Sequence, residues 1–196
     1  MAATSVHKLG GSMTQSSVLN VREGLVSAKR VQTVLSMLTT TSTSYPLLAS
    51  LDTARRQLAV HGYDLIDDAV RLAKDTRKRI NNINHLYCVG REKLHSSATF
   101  DMDPLKLLIS VKDLGITGHQ AEEWLRHNAN LEVELSDLYN ILCLVTLGDT
   151  KKEMNLLVNA LQRMSQAFDS EAVVTETNVN VPEIPALAMT PRDAFY

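Results

Sequence analysis

The sequence predicts a mixed α/β chain that is organised in two parts. Apolar residues recur at helical spacing in five segments, whereas Leu105–Lys112 alternates apolar and polar residues as a half-buried strand does. Two capping boxes, which begin at Thr117 and Thr150, mark helix starts in the second half of the chain. Residues 1–60 are therefore predicted to be strands followed by helix, and residues 61–170 an α+β layer unit able to bury its own core.

In residues 1–60, short strands are predicted at Ala2–His7 and Ser17–Val21, and a turn at Glu23-Gly24. Ser27 is suited to cap a helix, because its hydroxyl can accept a bond from a free backbone N–H of the first turn. The apolar residues of that helix fall at positions i, i+3, i+4 and i+7, namely Val31, Val34, Leu35 and Leu38.

The hydroxyl-rich run Thr39–Tyr45 is expected to end that helix, since Ser and Thr side chains offer the backbone other bonding partners. Pro46 suits the first turn of a second helix, which we expect to end at His61-Gly62. The apolar stripe of this second helix is Leu47, Leu48, Leu51, Ala54 and Leu58. A third, longer helix follows, with a charged, solvated face and an apolar face formed by Leu65, Ala69, Leu72, Thr76, Ile80 and Ile83.

The second part contains predicted strands at His85–Val89, Leu105–Lys112 and Tyr139–Thr146. The two capped helices are expected to bury one apolar face each, formed by Ala121, Trp124 and Leu125 in the first and by Met154, Leu157, Val158, Leu161 and Phe168 in the second. Residues 171–196 are rich in Val, Thr and Asn and contain prolines, so an extended or disordered tail is predicted there.

The composition excludes several function classes. The chain has 196 residues, 44% of them hydrophobic and 21% charged, and a formal net charge of -2, which gives no electrostatic case for nucleic acid or an anionic membrane as partner. No apolar run is long enough to span a bilayer, and no secretory signal is recognised, so a cytoplasmic location is expected. Cys88 and Cys143 form no metal-binding motif and are expected to be buried free thiols, with no metal site.

One lysine near the start, Lys8, lies among small polar residues in SVHKLGGSMTQSS. Lysine becomes a catalyst when its amine is uncharged or held as an imine, and a glycine-containing turn after a strand can direct it into a cleft. Nearby groups suited to hold a phosphate belong to Ser5, Gly10, Gly11, Ser12 and Thr14. From these residues alone, a surface lysine and a structural His7 are the commoner interpretations.

Three segments together carry a family resemblance. SVHKLGGSMTQSS resembles the SxHK cofactor-lysine motif of the Orn/Lys/Arg decarboxylases, which are fold-type-I enzymes that depend on pyridoxal phosphate. Thr39–Gln57, TTTSTSYPLLASLDTARRQ, resembles their TTSPSYxLMASLDxAR segment, and Asp103–Leu125 resembles the strand, turn and helix of their small domain. The segments occur in the family's order over most of residues 5–150, and they are most similar to the shorter bacterial form.

The resemblance implies a fold and a site. Residues 1–60 would be the C-terminal part of the large domain that binds the cofactor, and residues 61–170 an α+β small domain with a long linker helix. Lys8 would form the internal aldimine with pyridoxal 5'-phosphate, and His7 would be the second catalytic residue. Ser5 and His7 would lie by the cofactor's phosphate. Thr41 and Ser42 would approach the phosphate of a partner subunit in a homodimer, although Thr43 stands where the family has proline.

The implied reaction is decarboxylation of a basic amino acid, either arginine, lysine or ornithine, to an amine of polyamine metabolism. The family's N-terminal half supplies a carboxylate for the pyridine nitrogen, an aromatic ring and a phosphate loop, whereas only seven residues precede Lys8 here. We therefore expect a fragment that is inactive alone and has the missing N-terminal half as a partner.

Two alternatives stay open from the sequence. One is another fold-type-I reaction, by an aminotransferase or a lyase, and the other is a non-catalytic dimerisation or binding module. The sequence contains no GxxxxGK, HExxH or GxSxG, so phosphate-loop, zinc-peptidase and hydrolase functions have no support. The acidic pairs Asp67-Asp68 and Glu122-Glu123 are predicted to be solvated helix surface.

Overall fold

The chain combines two antiparallel sheets with helices of very different lengths. The computed structural model describes residues 1–39, 41–94, 97, 99–168 and 182–195. In chain order the elements are β1 (Ala2–Thr4), α1 (Val6–Leu9), β2 (Val18–Asn20), α2 (Ala28–Leu38), α3 (Tyr45–Ile80), β3 (Tyr87–Cys88), β4 (Lys106–Ser110), α4 (Gly118–Ala129), β5 (Leu135–Ser136), β6 (Asn140–Leu144), α5 (Lys151–Ala167) and α6 (Pro191–Phe195). The predicted mixed α/β class is confirmed.

A small hairpin-like sheet begins the chain. Strands β1 and β2 pair antiparallel, with Ala3 opposite Leu19, and the loop between them holds α1. Helix α2 begins as predicted, because the Ser27 hydroxyl accepts a bond of 3.4 Å from the Arg30 backbone N–H. Its apolar residues are not buried: the exposed fractions of Val34, Leu35 and Leu38 are 41, 43 and 80%.

Helix α3 is one continuous element of 36 residues. The prediction that a helix ends at His61-Gly62 is wrong, and the two predicted helices are one. An interior glycine costs a helix only about 1 kcal/mol relative to alanine, which good helix formers on both sides can offset. The predicted start is confirmed, with Pro46 in the first turn. Of the predicted stripe in its first half, only Ala54 is buried, so that half packs against little of the described chain.

The second sheet forms one side of the hydrophobic core. Its strand order is β3-β4-β6-β5 and every pairing is antiparallel, with Leu107 opposite Cys143 and Ile109 opposite Ile141. These residues share one face, since side chains alternate along a strand, and they are less than 10% exposed. The three predicted strands are confirmed with shorter bounds. Strand β5 was not predicted, because two residues are too few to show a period.

Helices α3, α4 and α5 cover this sheet and close the core. Both predicted capping boxes are present, at Thr117 with Gln120 and at Thr150 with Glu153. The core consists of apolar residues from all of these elements, including Ala73, Ile80, Leu86, Cys88, Leu107, Ile109, Val111, Leu114, Ala121, Leu125, Ile141, Cys143, Val145, Met154, Leu157, Val158, Leu161 and Met164. Trp124 and Phe168 pack at its edge and are only partly buried.

Two polar side chains fix α3 to the edge of the sheet. Arg77 Nε donates to the Val89 carbonyl at 2.9 Å, and its Nη2 donates to the carbonyls of Pro104 at 3.1 Å and Lys106 at 2.9 Å. Asn81 accepts a bond from the Cys88 backbone N–H at 2.6 Å and donates to the Cys88 carbonyl at 3.2 Å. Backbone groups that β3 and β4 leave free at their ends are satisfied in this way.

The structure describes only part of the predicted extended tail, since residues 169–181 and 196 lie outside the described residues. Residues 182–190 contain neither helix nor strand, but Pro191–Phe195 forms α6, where no helix was predicted. The Thr190 hydroxyl accepts a bond from the Asp193 backbone N–H at 3.2 Å and donates to its carboxylate at 2.6 Å. This Thr-Pro-x-Asp start is a helix signal that the sequence contains. In the described chain, no helix has both the length and the apolar character needed to cross a bilayer.

Candidate functional site

Lys8 lies in α1, a single helical turn that directly follows β1. The turn ends at two glycines that the backbone requires for different reasons. A Cβ on Gly10 would lie 2.8 Å from the Val6 carbonyl oxygen, and Gly11 has a φ of +87°, which L side chains rarely adopt. The Lys8 side chain is exposed. The glycine pair therefore sets the tight turn from which the Lys8 amine projects.

His7 is held by the backbone of the same loop. Its Nδ1–H donates to the Ser16 carbonyl at 2.7 Å, and its backbone N–H donates to the same oxygen at 3.4 Å. A carbonyl can only accept, so Nδ1 carries the proton in this contact. The second ring nitrogen, Nε2, then carries the lone pair that can accept a hydrogen bond.

Two buried serines form a small polar cluster within this loop. Ser12 and Ser16 are 9 and 3% exposed, and their hydroxyls bond to each other at 2.7 Å. The Ser16 hydroxyl also donates to the Met13 carbonyl. The loop is joined to helix α3 by one further bond, from the Met13 backbone N–H to Ser50 Oγ at 3.1 Å. Ser12 is thus committed inside the loop and is not among the exposed groups that could hold a phosphate.

A cleft of about 310 Å³ opens beside Lys8, where three elements meet. The loop contributes His7, Lys8, Leu9, Gly10 and Gly11, helix α3 contributes Gln57 and Leu58, and the turn between β6 and α5 contributes Thr146, Leu147 and Gly148. Ligand sites in proteins occupy about 300–1,000 Å³, so this cleft is at the lower end of that range.

The far wall of the cleft is a structured turn. Asp149 accepts bonds from the Thr146 backbone N–H at 2.6 Å and from the Thr146 hydroxyl at 2.8 Å. The Gly148 N–H donates to Thr146 Oγ1 at 3.3 Å. Sequence reasoning did not single out Thr146, Gly148 or Gln57, because only the folded chain brings them to Lys8. The one available signal was the turn between a buried strand and a capping box.

The other predicted site residues lie elsewhere. Ser5 is exposed and precedes α1, and its carbonyl accepts a bond from the Lys8 N–H at 3.3 Å. Thr41 and Ser42 are exposed in the connection between α2 and α3 and do not line the Lys8 cleft. They are predicted to bind the cofactor of a partner subunit, not the one held in their own cleft. Their position here therefore does not test that role, which stays a prediction.

The residues of the cleft fit part of the predicted cofactor. Lys8 offers a primary amine, and the loop glycines leave room for a phosphate, whereas the Thr146 hydroxyl already donates to Asp149. Among the described residues that line the cleft, none is an acid and none is a Phe, Tyr or Trp. The groups expected to pair with the pyridine nitrogen and to stack on the ring are therefore not part of this lining.

The two acidic pairs differ in their surroundings. Asp67 and Asp68 are exposed and both pair with Arg71, as a solvated helix face would. Glu122 is less exposed, and its carboxylate accepts bonds from Ser136 and Arg126. The Ser136 bond is the main reason that the pKa of Glu122 lies below the ordinary value. Neither pair borders the Lys8 cleft.

Comparison with known families decides the affiliation of the chain. The model of the Orn/Lys/Arg decarboxylase major domain matches residues 1–153, which is most of the sequence. The chain belongs to the Orn/Lys/Arg decarboxylase family. The predicted family is confirmed, and the matched range includes both the Lys8 loop and the four-stranded sheet.

Relatives of this decarboxylase-family chain are considerably longer proteins. It is 64% identical to an arginine decarboxylase of Bacillus anthracis and 60% identical to one of Bacillus subtilis, over 197 aligned residues in each case. An inducible lysine decarboxylase of Escherichia coli is 26% identical over 84% of the chain. The chain spans about 40% of the length of the two Bacillus relatives and 28% of the Escherichia coli one.

Solved structures support the fold of this family member. The lysine decarboxylase of Francisella novicida superimposes with a TM-score of 0.73 at 24% identity, covering 85% of this chain and 28% of the other. The constitutive lysine decarboxylase of Escherichia coli superimposes with a TM-score of 0.68 at 23% identity, over the same share of each chain. At this identity the likeness concerns the fold alone.

Proposed function

We propose that this chain carries the cofactor lysine, Lys8, of a pyridoxal-phosphate-dependent decarboxylase of basic amino acids. The observation that carries the proposal is the cleft beside Lys8, which the loop, α3 and the β6–α5 turn form together. Arginine is the substrate proposed first, since relatives that are 60–64% identical are named arginine decarboxylases.

The lysine amine and the adjacent imidazole have distinct parts in this proposal. Lys8 would hold the cofactor through its amine, and the described residues that line its cleft include no carboxylate that would hold that amine in an ion pair. When bound, pyridoxal phosphate supplies the electron sink for the electron pair left behind by carbon dioxide. His7, fixed through Nδ1 by Ser16, presents Nε2 as a group that can accept or give a proton.

The remainder of the site is proposed to come from outside the described cleft. A carboxylate for the pyridine nitrogen and an aromatic ring belong, in this proposal, to sequence that the longer relatives contain. An apolar groove of about 310 Å³ between the first sheet and α2 supports association with such a segment. Its lining is almost wholly apolar: Met1, Leu19, Val26, Val31, Val34, Leu35 and Leu38, with Arg30 at the edge.

A homodimer completes the proposal. Thr41 and Ser42 are exposed in the α2–α3 connection, where a second subunit can reach them. Their hydroxyls would bind the phosphate of the partner's cofactor. Because Thr43 replaces the family's proline, this connection has one less constraint on its backbone than the family pattern has.

The test is a hybrid enzyme in which this chain replaces the matching 197-residue segment of the Bacillus anthracis arginine decarboxylase. The hybrid should release carbon dioxide from arginine, whereas the isolated chain should not. Lys8→Ala should abolish the activity, and Lys29→Ala, on the exposed surface of α2, should leave it intact. An active Lys8→Ala hybrid would refute the proposed role. Products identified as keto acids instead of amines would favour an aminotransferase.

A further inference from the structure

One hydroxyl on helix α3 connects the Lys8 loop to the rest of the molecule. Ser50 lies in the second turn of α3 and is half-buried. Its Oγ accepts a bond from the Met13 backbone N–H at 3.1 Å and donates to the Leu47 carbonyl at 2.7 Å. The hydroxyl therefore has one donor and one acceptor partner, and its orientation is fixed by its own helix.

The loop needs such an attachment, because its other side-chain bonds to residues that the structure describes are internal. Ser12 bonds to Ser16, and Ser16 bonds to Met13 and to His7, so the loop residues 7–16 hold one another but are not anchored by these contacts. Lys8 itself is exposed at the cleft, and Met13 is 56% exposed. The Ser50 bond thus joins an internally bonded loop to a long rigid helix.

Helix α3 also lines the cleft, seven residues beyond Ser50, through Gln57 and Leu58. A bond from the loop to α3 therefore fixes the distance between the Lys8 side of the cleft and its α3 wall. Catalytic groups are effective only within a narrow range of positions, and a displacement of about 1 Å can lower a rate by about 100-fold.

We propose that Ser50 is a positioning residue for Lys8: it holds the loop on α3 so that the lysine amine faces the cleft. This inference rests on the proposed function and adds a residue to it. Ser50 does not line the cleft, so it acts through the loop and not on substrate or cofactor.

The variant Ser50→Ala separates positioning from folding. Alanine is the best helix former, so the substitution removes the loop bond without weakening α3. Ser50→Thr keeps a hydroxyl at the same place. The matched control is Thr53→Ala, since Thr53 Oγ1 makes the same kind of intrahelical bond, to the Ala49 carbonyl at 2.9 Å, and is exposed.

Two measurements test the inference. In the full 196-residue chain, amide hydrogen exchange at Met13 should become about threefold to tenfold faster in Ser50→Ala, the range expected for one lost hydrogen bond. In the hybrid enzyme, kcat should fall about tenfold to 100-fold with KM little changed. Ser50→Thr should restore both values, and Thr53→Ala should match the parent protein in both.

The outcomes distinguish this inference from the proposed function. An inactive parent hybrid would refute the proposed function and the role of Ser50 with it. An active parent hybrid whose Ser50→Ala variant keeps its kcat would refute the positioning role alone, even if exchange at Met13 becomes faster. Unchanged exchange at Met13 would show that the Ser50 bond does not hold the loop.

Discussion

Residues 1–60 and residues 61–168 differ in how they bury apolar side chains. In the described part of residues 1–60, only Ser12, Ser16 and Ala54 are buried, and two of these three are polar. Residues 61–168 contain a continuous apolar core between a four-stranded sheet and three helices. The candidate lysine thus belongs to the region without a core, and the stability of the chain belongs to the other.

The difference follows from the architecture. A two-stranded sheet is marginal by itself, whereas three or more strands covered by helices can exclude water from one face. The first region instead holds its site loop with hydrogen bonds, through Ser16, Ser12 and Ser50. Helix α3 belongs to both regions, since its first half contacts the loop and its second half buries Ala73, Thr76 and Ile80.

The largest expected effect is on the free energy of unfolding of the second region. Leu125→Ala removes a side chain that is fully buried in the core and should cost about 2–5 kcal/mol. Leu35→Ala, in the exposed stripe of α2, should change it by less than about 0.5 kcal/mol. Urea unfolding followed by the fluorescence of Trp124 measures both. Equal losses would show that the two regions form one cooperative core.

The reactivity of the two cysteines tests whether the core of the second region is closed to solvent. Burial raises the pKa of Cys88 to about 11 and that of Cys143 to about 12. At pH 8 the folded chain should react with iodoacetamide about 100-fold more slowly than the urea-unfolded chain, because both access and thiolate are reduced. A cysteine introduced by Ser36→Cys, on the exposed surface of α2, should react rapidly in the folded chain. Fast native alkylation of Cys88 would contradict a closed core.

An intermediate loss of stability is expected when the hydrogen bonds of Arg77 are removed. Arg77→Met keeps the aliphatic stem but removes the donors to the Val89, Pro104 and Lys106 carbonyls, and it should destabilise the second region by about 1–3 kcal/mol. Arg55→Met is the matched change in the first half of α3. Among the described residues Arg55 pairs only with exposed Asp52, so no measurable change is expected. Thermal unfolding of the two variants compares them, and indistinguishable transitions would argue against an anchoring role for Arg77.

The smallest expected effect concerns the helix caps. Thr150→Ala removes the N-cap of α5, a core helix, and should lower the free energy of unfolding by about 1 kcal/mol. Ser27→Ala removes the N-cap of α2 and should fray that helix without moving the main unfolding transition. Circular dichroism together with Trp124 fluorescence separates helix loss from core unfolding. A shift of the main transition in Ser27→Ala would place α2 within the cooperative unit.

Local sequence signals predicted much of this fold, but they could not predict contacts between segments that are distant in sequence. The boxes at Thr117 and Thr150 predicted helix starts because a cap involves residues three apart. Gly62 did not end the helix as predicted, because good helix formers on both sides offset the small cost of one interior glycine. Lys8 was predicted as the cofactor lysine from its motif, but its neighbours Gln57 and Thr146 lie about 50 and 140 residues away in sequence and meet it only in the folded chain.

The most direct test of the central claim is to locate the cofactor's attachment in the hybrid enzyme. The amine of a cofactor lysine condenses with the aldehyde of pyridoxal phosphate with loss of water, and borohydride then reduces the C=N bond to a stable secondary amine. Peptide mass spectrometry after this treatment should find the label on Lys8, and Lys8→Arg should remove it. A label spread over exposed lysines such as Lys29 and Lys152, with none on Lys8, would contradict the account.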